Sequence, residues 1–409
     1  MIIKYSDFID LKYKPSEKDL ICTFRLRPAG GLTMKEAGAR VASESSVGTW
    51  SALDVPERIV EMRARCFSIK GDIVKIAYHP VLFEKGSIPQ LLSSIAGNVF
   101  GMKAVRALRL ENIQFPKALA KSFSGPAIGL KDIRKKLKIS RRPLVGTIVK
   151  PKIGLHSKTH ALRAYESWTG GLDLVKCDEN LTNQSFNKFD ANVRETLKLK
   201  FRAEKETGEK KIYVPNVTAE TKEMIRRAKL VRDLGGSCIM IDILTAGWSA
   251  LQTMRNEFPD MIIHAHRAGH AMFTRGPFGM SMLVVAKLAR LAGVSQIHTG
   301  TANVGKMKSR NNETQVVNTF LKSGWFNKKP VFPIASGGLD ACLVPKLVKK
   351  LGTDIIIQAG GGVHALGTRT GAASMRQAVD AVMNGIPLNE YAKTHSELRK
   401  AIEKWGLKS

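Results

Sequence analysis

The stretch Gly170-Gly171-Leu172-Asp173-Leu174-Val175-Lys176-Cys177-Asp178-Glu179-Asn180 brings a lysine and two carboxylates to the end of an apolar run. Such a run reads as a buried parallel strand whose carboxyl end opens into a polar site. Asp178 and Glu179 are hard oxygen donors of the kind that hold Mg²⁺. Lys176 beside a cation is repelled unless it is an ion-pair partner or has lost its charge. A neutral amine that has captured CO2 is a carbamate, and a carbamate supplies a third oxygen ligand. On these residues alone, a metal site and a salt-bridged strand end are even readings.

Other apolar runs end in similar groups. One ends in Lys150-Pro151-Lys152, one near Asn216 and one at Asp242. A fifth gives His264-Ala265-His266-Arg267, with His270 further on. A sixth gives His298, then Gly300, Gly305 and Lys306. The last two give Ser336-Gly337-Gly338 and Gly360-Gly361-Gly362. A lone histidine there is usually structural and a glycine pair usually a turn, but packing does not easily explain their coincidence on one face.

The set has a chemical logic. Glycines after the seventh and eighth strands expose backbone N–H groups where barrel folds commonly bind phosphate. Arg267 and His298 could hold a second phosphate. A bisphosphate would then lie across the mouth, with a cation polarising a carbonyl and hydroxyl pair. Lys150, Lys152 and His266 are candidates for proton transfer. The residues point to metal-assisted enolisation of a phosphorylated sugar.

The elements that must position these groups follow from periodicity. Strands are expected at 144–149, 172–175, 212–215, 238–242, 261–264, 296–298, 331–335 and 355–358, separated by helical patterns. Phe189, Val193, Leu197 and Phe201 recur at i+4 and stop at Gly208. Eight short apolar strands alternating with helices predict a closed parallel (β/α)8 barrel. An open doubly wound sheet is the alternative, but no Gly-x-Gly-x-x-Gly opens the series. The barrel domain is expected over 144–409, after a basic linker segment at 119–143. Residues 1–118 read as an α+β ferredoxin-like domain, with strands at 19–26, 73–78 and 108–113 and helices at 33–42 and 88–95.

Composition narrows the classes further. The chain has 409 residues, 44% of them hydrophobic, which suits two globular domains. No apolar run reaches membrane length. The acids near Met1 speak against an export signal, so a cytoplasmic location is expected. Cys22, Cys66, Cys177, Cys238 and Cys342 have no paired spacing and read as free thiols. The net charge of +30 favours polyanions or phosphorylated small molecules. The densest basic run, Lys131 to Arg142, lacks aromatics to stack bases and reads as a solvated helix without specific nucleic-acid binding.

The motifs also resemble those of the large chain of ribulose-1,5-bisphosphate carboxylase/oxygenase (RuBisCO), over nearly the whole length. Lys176, Asp178 and Glu179 look like the family's Mg²⁺ site, in which the lysine is carbamylated by an activating CO2. Gly146-Thr-Ile-Val-Lys150-Pro-Lys152 is similar to the first-strand motif, where the first lysine handles protons of the enediol and the second supports the carbamate. His264-Ala-His266-Arg267-Ala-Gly-His270 resembles the fifth-strand motif. There the middle histidine accepts a proton and the arginine binds the distal phosphate, with the last histidine supporting it. His298 and Lys306 match the sixth strand and its closing loop, whose lysine stabilises the carboxylate formed from CO2. Ser336, Gly337, Gly338, Gly360 and Gly361 match further substrate and phosphate ligands. Glu44, Thr49, Trp50 and Asn98 match residues that the family lends to a neighbouring subunit's barrel.

The resemblance implies a homo-oligomer built from dimers with shared sites, without a small subunit. It implies conversion of ribulose 1,5-bisphosphate, CO2 and water into two 3-phosphoglycerates, with oxygenation as a side reaction. Ile148 stands where plant-type members carry Thr, one extra residue separates His298 from Lys306, and Met307-Lys308-Ser309 replaces Leu-Glu-Gly. The first two features suit the archaeal-type (form III) branch, whose implied role is salvage of nucleotide-derived ribose. The chain ends at Lys408-Ser409 without a long tail to latch the loop. One rival is a RuBisCO-like enolase or isomerase that fixes no CO2. The other is a noncatalytic RNA-binding protein driven by charge.

Overall fold

A computed structural model describes residues 1–310 and 312–407, so the expected end at Lys408-Ser409 lies outside the described residues. The chain divides into two compact units, one of residues 1–125 and 269–292, the other of 126–268 and 293–409.

In the first unit, Leu20–Pro28 buries Cys22, Phe24 and Leu26 on one face and leaves the intervening residues less buried, the period of a strand with one face in the core. It pairs antiparallel with Ile73–Tyr78 and Val105–Gln114, and Arg65–Lys70 pairs with Ile73–Tyr78. With the helices Met34–Glu44 and Ile88–Ile95 this is a ferredoxin-like arrangement. A capping box starts the first helix. Thr33 Oγ1 accepts from Glu36 N at 3.2 Å, and Glu36 accepts from Thr33 N at 2.7 Å. A short strand, Phe278–Met280, extends the sheet in parallel beside Val105–Gln114. Buried Arg109 fastens this added piece by donating to the carbonyls of Thr274, Gly276 and Met280.

The second unit carries eight parallel strands: Leu144–Ile148, Leu174–Lys176, Ile212–Val214, Cys238–Asp242, Ile262–His266, Gln296–His298, Phe332–Ser336 and Ile356–Gln358. The fourth to eighth strands pair in order, the eighth pairs with the first, and the first pairs on through the second to the third. A bridge between Asn216 and Met240 closes the ring, with Met240 N donating to Pro215 O at 2.8 Å and Val217 N to Met240 O at 3.0 Å. This is the (β/α)8 barrel, and closure leaves the sheet no free edge.

The basic run at Lys131 to Arg142 does more than face solvent. Its helix, Leu130–Leu137, exposes Lys131, Lys135 and Lys136 but buries Leu130, Ile133 and Leu137 in a core cluster with Leu144, Leu174, Ile212 and Ile356. The apolar stripe at i, i+3 and i+7 covers barrel core while the charges between point outward. No helix among the described residues is long and apolar enough to cross a membrane. All five cysteines are free and buried.

Candidate active site

The ends of the first five barrel strands converge on one charged cluster. Lys176 ends the second strand fully buried, and its Nζ donates to Cys177 O at 2.9 Å and pairs with Glu179 Oε2 at 3.3 Å. Lys150, just past the first strand, places Nζ 2.6 Å from Asp178 Oδ2. The other Asp178 oxygen accepts from Asn180 N and Nδ2. His266 ends the fifth strand between two acids, with Nδ1 2.7 Å from Asp242 Oδ1 and Nε2 3.5 Å from Glu179 Oε2. Asn216 donates to Glu179 O at 3.0 Å and accepts from Thr218, which fixes the turn after Glu179.

The electrostatics follow from this crowding. Burial alone would raise the Glu179 pKa, but Lys176 and His266 outweigh it and bring the carboxyl down to about 2. Glu179 is therefore held ionised, and each of the two neighbouring carboxylates has a lysine Nζ within ion-pair distance. That donor set suits Mg²⁺, because both carboxylates offer hard oxygens and Lys176 stands where an added carboxylate on its nitrogen would join them.

A second line of side chains joins the fifth, sixth and seventh strands. His264 Nε2 faces His298 Nε2 at 2.8 Å, and His298 Nδ1 lies 2.7 Å from Ser336 Oγ. Burial, and after it the neighbouring cations and imidazoles, pushes both histidine pKa values well below the ordinary value. Burial thus favours the neutral form of His298, whose ring is held between His264 and Ser336.

Lys306 is exposed, and its backbone N donates to Gly337 O at 3.1 Å. Gly338 has φ +67°, and a Cβ there would come 2.6 Å from Lys306 Cγ and 2.9 Å from Lys306 N, so the turn admits the loop only as glycine. On the eighth strand, a Cβ on Gly360 would sit 3.1 Å from Lys150 Cε, so the lysine stem crosses that turn. Arg267 Nη2 lies against Gly300.

Some expected residues are not gathered into this cluster. Lys152 is exposed and makes none of its contacts. Glu44, Thr49, Trp50 and Asn98 belong to the first unit. There Asn98 Nδ2 donates to Glu44 Oε1 at 3.4 Å, and both line an open recess with Gly97, Gly101 and Met102. Trp50 is 82% exposed. His270 opens the short helix His270–Thr274 of the same unit.

Two residues at the site escape the sequence reading. His364 Nε2 donates to Ile148 O at 3.1 Å, and its Nδ1 lies 3.1 Å from Thr368 Oγ1. Thr147 Oγ1 donates to Ala359 O at 2.6 Å beside it. Together they clamp the first strand's end, and so Lys150, to the eighth strand's turn. Burial lowers the His364 pKa to about 4, against the opposing pull of the Ile148 carbonyl. The available signal was a histidine four residues after Gly360 and four before Thr368. The second is Gln296, whose Nε2 lies 3.0 Å from His264 Nδ1.

Lysines and acids opposed at barrel strand ends equip an enzyme to move protons beside a polarised carbonyl. A family model described as the ribulose bisphosphate carboxylase large chain, catalytic domain, matches residues 129–405, and the corresponding N-terminal domain model matches 7–119. The class is therefore that of the (β/α)8-barrel carboxylases. The chain is 48% identical to a ribulose bisphosphate carboxylase of Methanosarcina barkeri, covering 98% of this chain and 99% of the relative. It is also 48% identical to one of Pyrococcus abyssi, over 98% and 97%. Among solved structures, an octameric RuBisCO of Pyrococcus horikoshii matches with TM-score 0.96 and 46% identity, covering 100% of this chain and 98% of that one. A dimeric archaeal RuBisCO of Hyperthermus butylicus matches with TM-score 0.92 and 45% identity, over 99% and 100%. The chain belongs to the RuBisCO large-chain family.

Proposed function

We propose that the chain is a ribulose-1,5-bisphosphate carboxylase of the archaeal type. The observation that carries this is the meeting of Lys150 with Asp178 and of Lys176 with Glu179, because it places a proton-handling amine beside two carboxylates fit for a divalent cation. Asp178, Glu179 and a carbamylated Lys176 would hold Mg²⁺, which when bound polarises the substrate's carbonyl and hydroxyl.

This chain's residues do the rest. Lys150 Nζ holds or moves a proton of the enediol. Asp242 takes the Nδ1–H of His266, which turns Nε2 towards Glu179 and the mouth as a proton acceptor. Arg267 and the turns at Gly337, Gly338, Gly360 and Gly361 bind the phosphates, with Ser336 on the substrate. Lys306 meets the carboxylate that appears once CO2 has added. Oxygenation accompanies this as a side reaction.

The solved relatives are described as octameric and dimeric, which supports a homo-oligomer for this chain. Glu44, Thr49, Trp50 and Asn98 would complete the site of a partner copy. The resemblance to the archaeal-type branch implies a role in salvage of nucleotide-derived ribose, and that role is part of this proposal.

The test is fixation of labelled CO2 into 3-phosphoglycerate after incubation with CO2 and Mg²⁺. Activity should require both before substrate, and Lys176→Ala should abolish it. Exchange of the substrate's C3 proton without label in the product would favour a non-carboxylating enolase.

A further inference from the structure

Gln296, His264, His298 and Ser336 form one hydrogen-bonded line. Gln296 Nε2 lies 3.0 Å from His264 Nδ1, the facing Nε2 atoms of His264 and His298 are 2.8 Å apart, and His298 Nδ1 is 2.7 Å from Ser336 Oγ. The first three residues are buried, at 0%, 0% and 3% exposure. Both rings are neutral, chiefly because they are buried. Each therefore carries one N–H, and only one hydrogen fits between the two Nε2 atoms. Two arrangements satisfy the line, running in opposite directions.

The Gln296 end chooses between them. Its Nε2 also reaches Cys238 Sγ at 3.7 Å, while its Oε1 is buried without a hydrogen-bond partner. Rotating the amide would move its N–H donors into that unpartnered place. A buried orphan donor is rarer than an under-satisfied carbonyl oxygen. The amide therefore donates to His264 Nδ1. His264 must then carry its hydrogen on Nε2 and donate to His298. His298 must carry its hydrogen on Nδ1 and donate to Ser336 Oγ. No other side-chain hydrogen bond engages Ser336 among the described residues, so its own O–H remains free to donate.

We propose that Gln296 is a positioning residue: acting through the two imidazoles, its amide sets the direction of this line and keeps the Ser336 hydroxyl available to a substrate oxygen. Reversed, the line would turn that hydroxyl inward onto His298 and present only lone pairs to an anionic substrate. The substrate half of this inference rests on the role given to Ser336 under the proposed function. The direction of the line does not.

The experiment is ¹⁵N NMR of the full-length protein labelled at histidine, without substrate, together with carboxylase kinetics. The wild type should show His264 as the Nε2–H tautomer and His298 as the Nδ1–H tautomer. Gln296→Met keeps the side-chain length but neither donates nor accepts, so both rings should lose their single tautomer. KM for ribulose bisphosphate should rise roughly tenfold, the scale of one hydrogen bond to a charged group, with kcat changed less than about twofold. Ser336→Ala should leave His264 as it was, because Gln296 still directs it. A wild-type His298 carrying its hydrogen on Nε2 would overturn the proposal, and this needs no variant to fold. Unchanged tautomers and KM in Gln296→Met would overturn it equally. If the carboxylase reading itself is wrong, turnover is absent while the tautomer pattern stands.

Discussion

Lys150 Nζ and Asp178 Oδ2 meet at 2.6 Å across the ends of the first and second barrel strands, although 28 residues separate them in the chain. Glu179 is matched in the same way by Lys176. Both carboxylates fit to bind a divalent cation are thus already neutralised by ammonium groups. Under the proposed function, a cation held by Asp178 would compete with Lys150 for Oδ2, and Lys150 would be the amine that handles a proton of the substrate.

Lys150→Met should separate these two roles. Binding of Mg²⁺ in calorimetry should be as tight as in the wild type or tighter, because a competing charge is gone. Exchange of the C3 proton of ribulose bisphosphate with deuterated solvent should fall by roughly 10²- to 10⁴-fold, the usual scale for a proton-transfer group. Wild-type exchange in this variant would remove Lys150 from the proton path.

The buried histidines predict sensitivity to acid. Burial holds His160 and His364 down to about 4, and His264 and His298 also lie well below the ordinary value. Below about pH 6.5 the unfolded chain takes up protons on these rings and the folded chain does not. Stability is therefore fully present above that pH and is lost as pH falls towards 4. Each ring should contribute about 1.4 kcal/mol per pH unit in that window. Urea unfolding at pH 7, 6 and 5 measures this, and His160→Gln should flatten the slope by about one ring's share. A flat profile from pH 7 to 5 would mean that the rings are not held neutral.

The contact between Lys306 and Gly338 predicts how the loop fails. Gly338→Ala would push a methyl group into Lys306 Cγ and N in a backbone conformation that alanine rarely adopts. It should therefore behave like Lys306→Ala. Both should keep C3 proton exchange while carboxylation falls by roughly 10²- to 10³-fold or more, the scale of losing one charge-stabilising group. Equal loss of exchange and carboxylation would place Lys306 in substrate binding instead.

Glu44 and Asn98 share a recess of the first unit, and their role under the proposed function needs a partner copy. Mixing inactive Glu44→Gln chains with inactive Lys176→Ala chains should restore part of the activity, because some mixed dimers regain one intact site. Demonstrated subunit exchange without any recovery would refute shared sites.

The sequence alone was enough for the eight barrel strands and for several of the polar groups at their ends, Lys152 excepted. A strand buried on both faces must be apolar, and its exit to solvent must be polar, so Leu174-Val175-Lys176 or Ile262 to His266 shows its own place and direction. The ferredoxin-like unit was readable for a related reason, since Cys22, Phe24 and Leu26 alternate with outward-facing neighbours. What only the tertiary structure decided depends on pairs distant in the chain. His364 reaches Ile148 across 216 residues and Gln296 reaches His264 across 32, and no local period marks either contact. Residues 269–292 interrupt the barrel's chain, yet they join the first unit through the carbonyls held by Arg109. The basic run before the barrel looked solvated because its charges outnumber its apolar residues. The burial of Leu130, Ile133 and Leu137 follows from the barrel core they cover, and a sequence window on the helix alone does not contain that core.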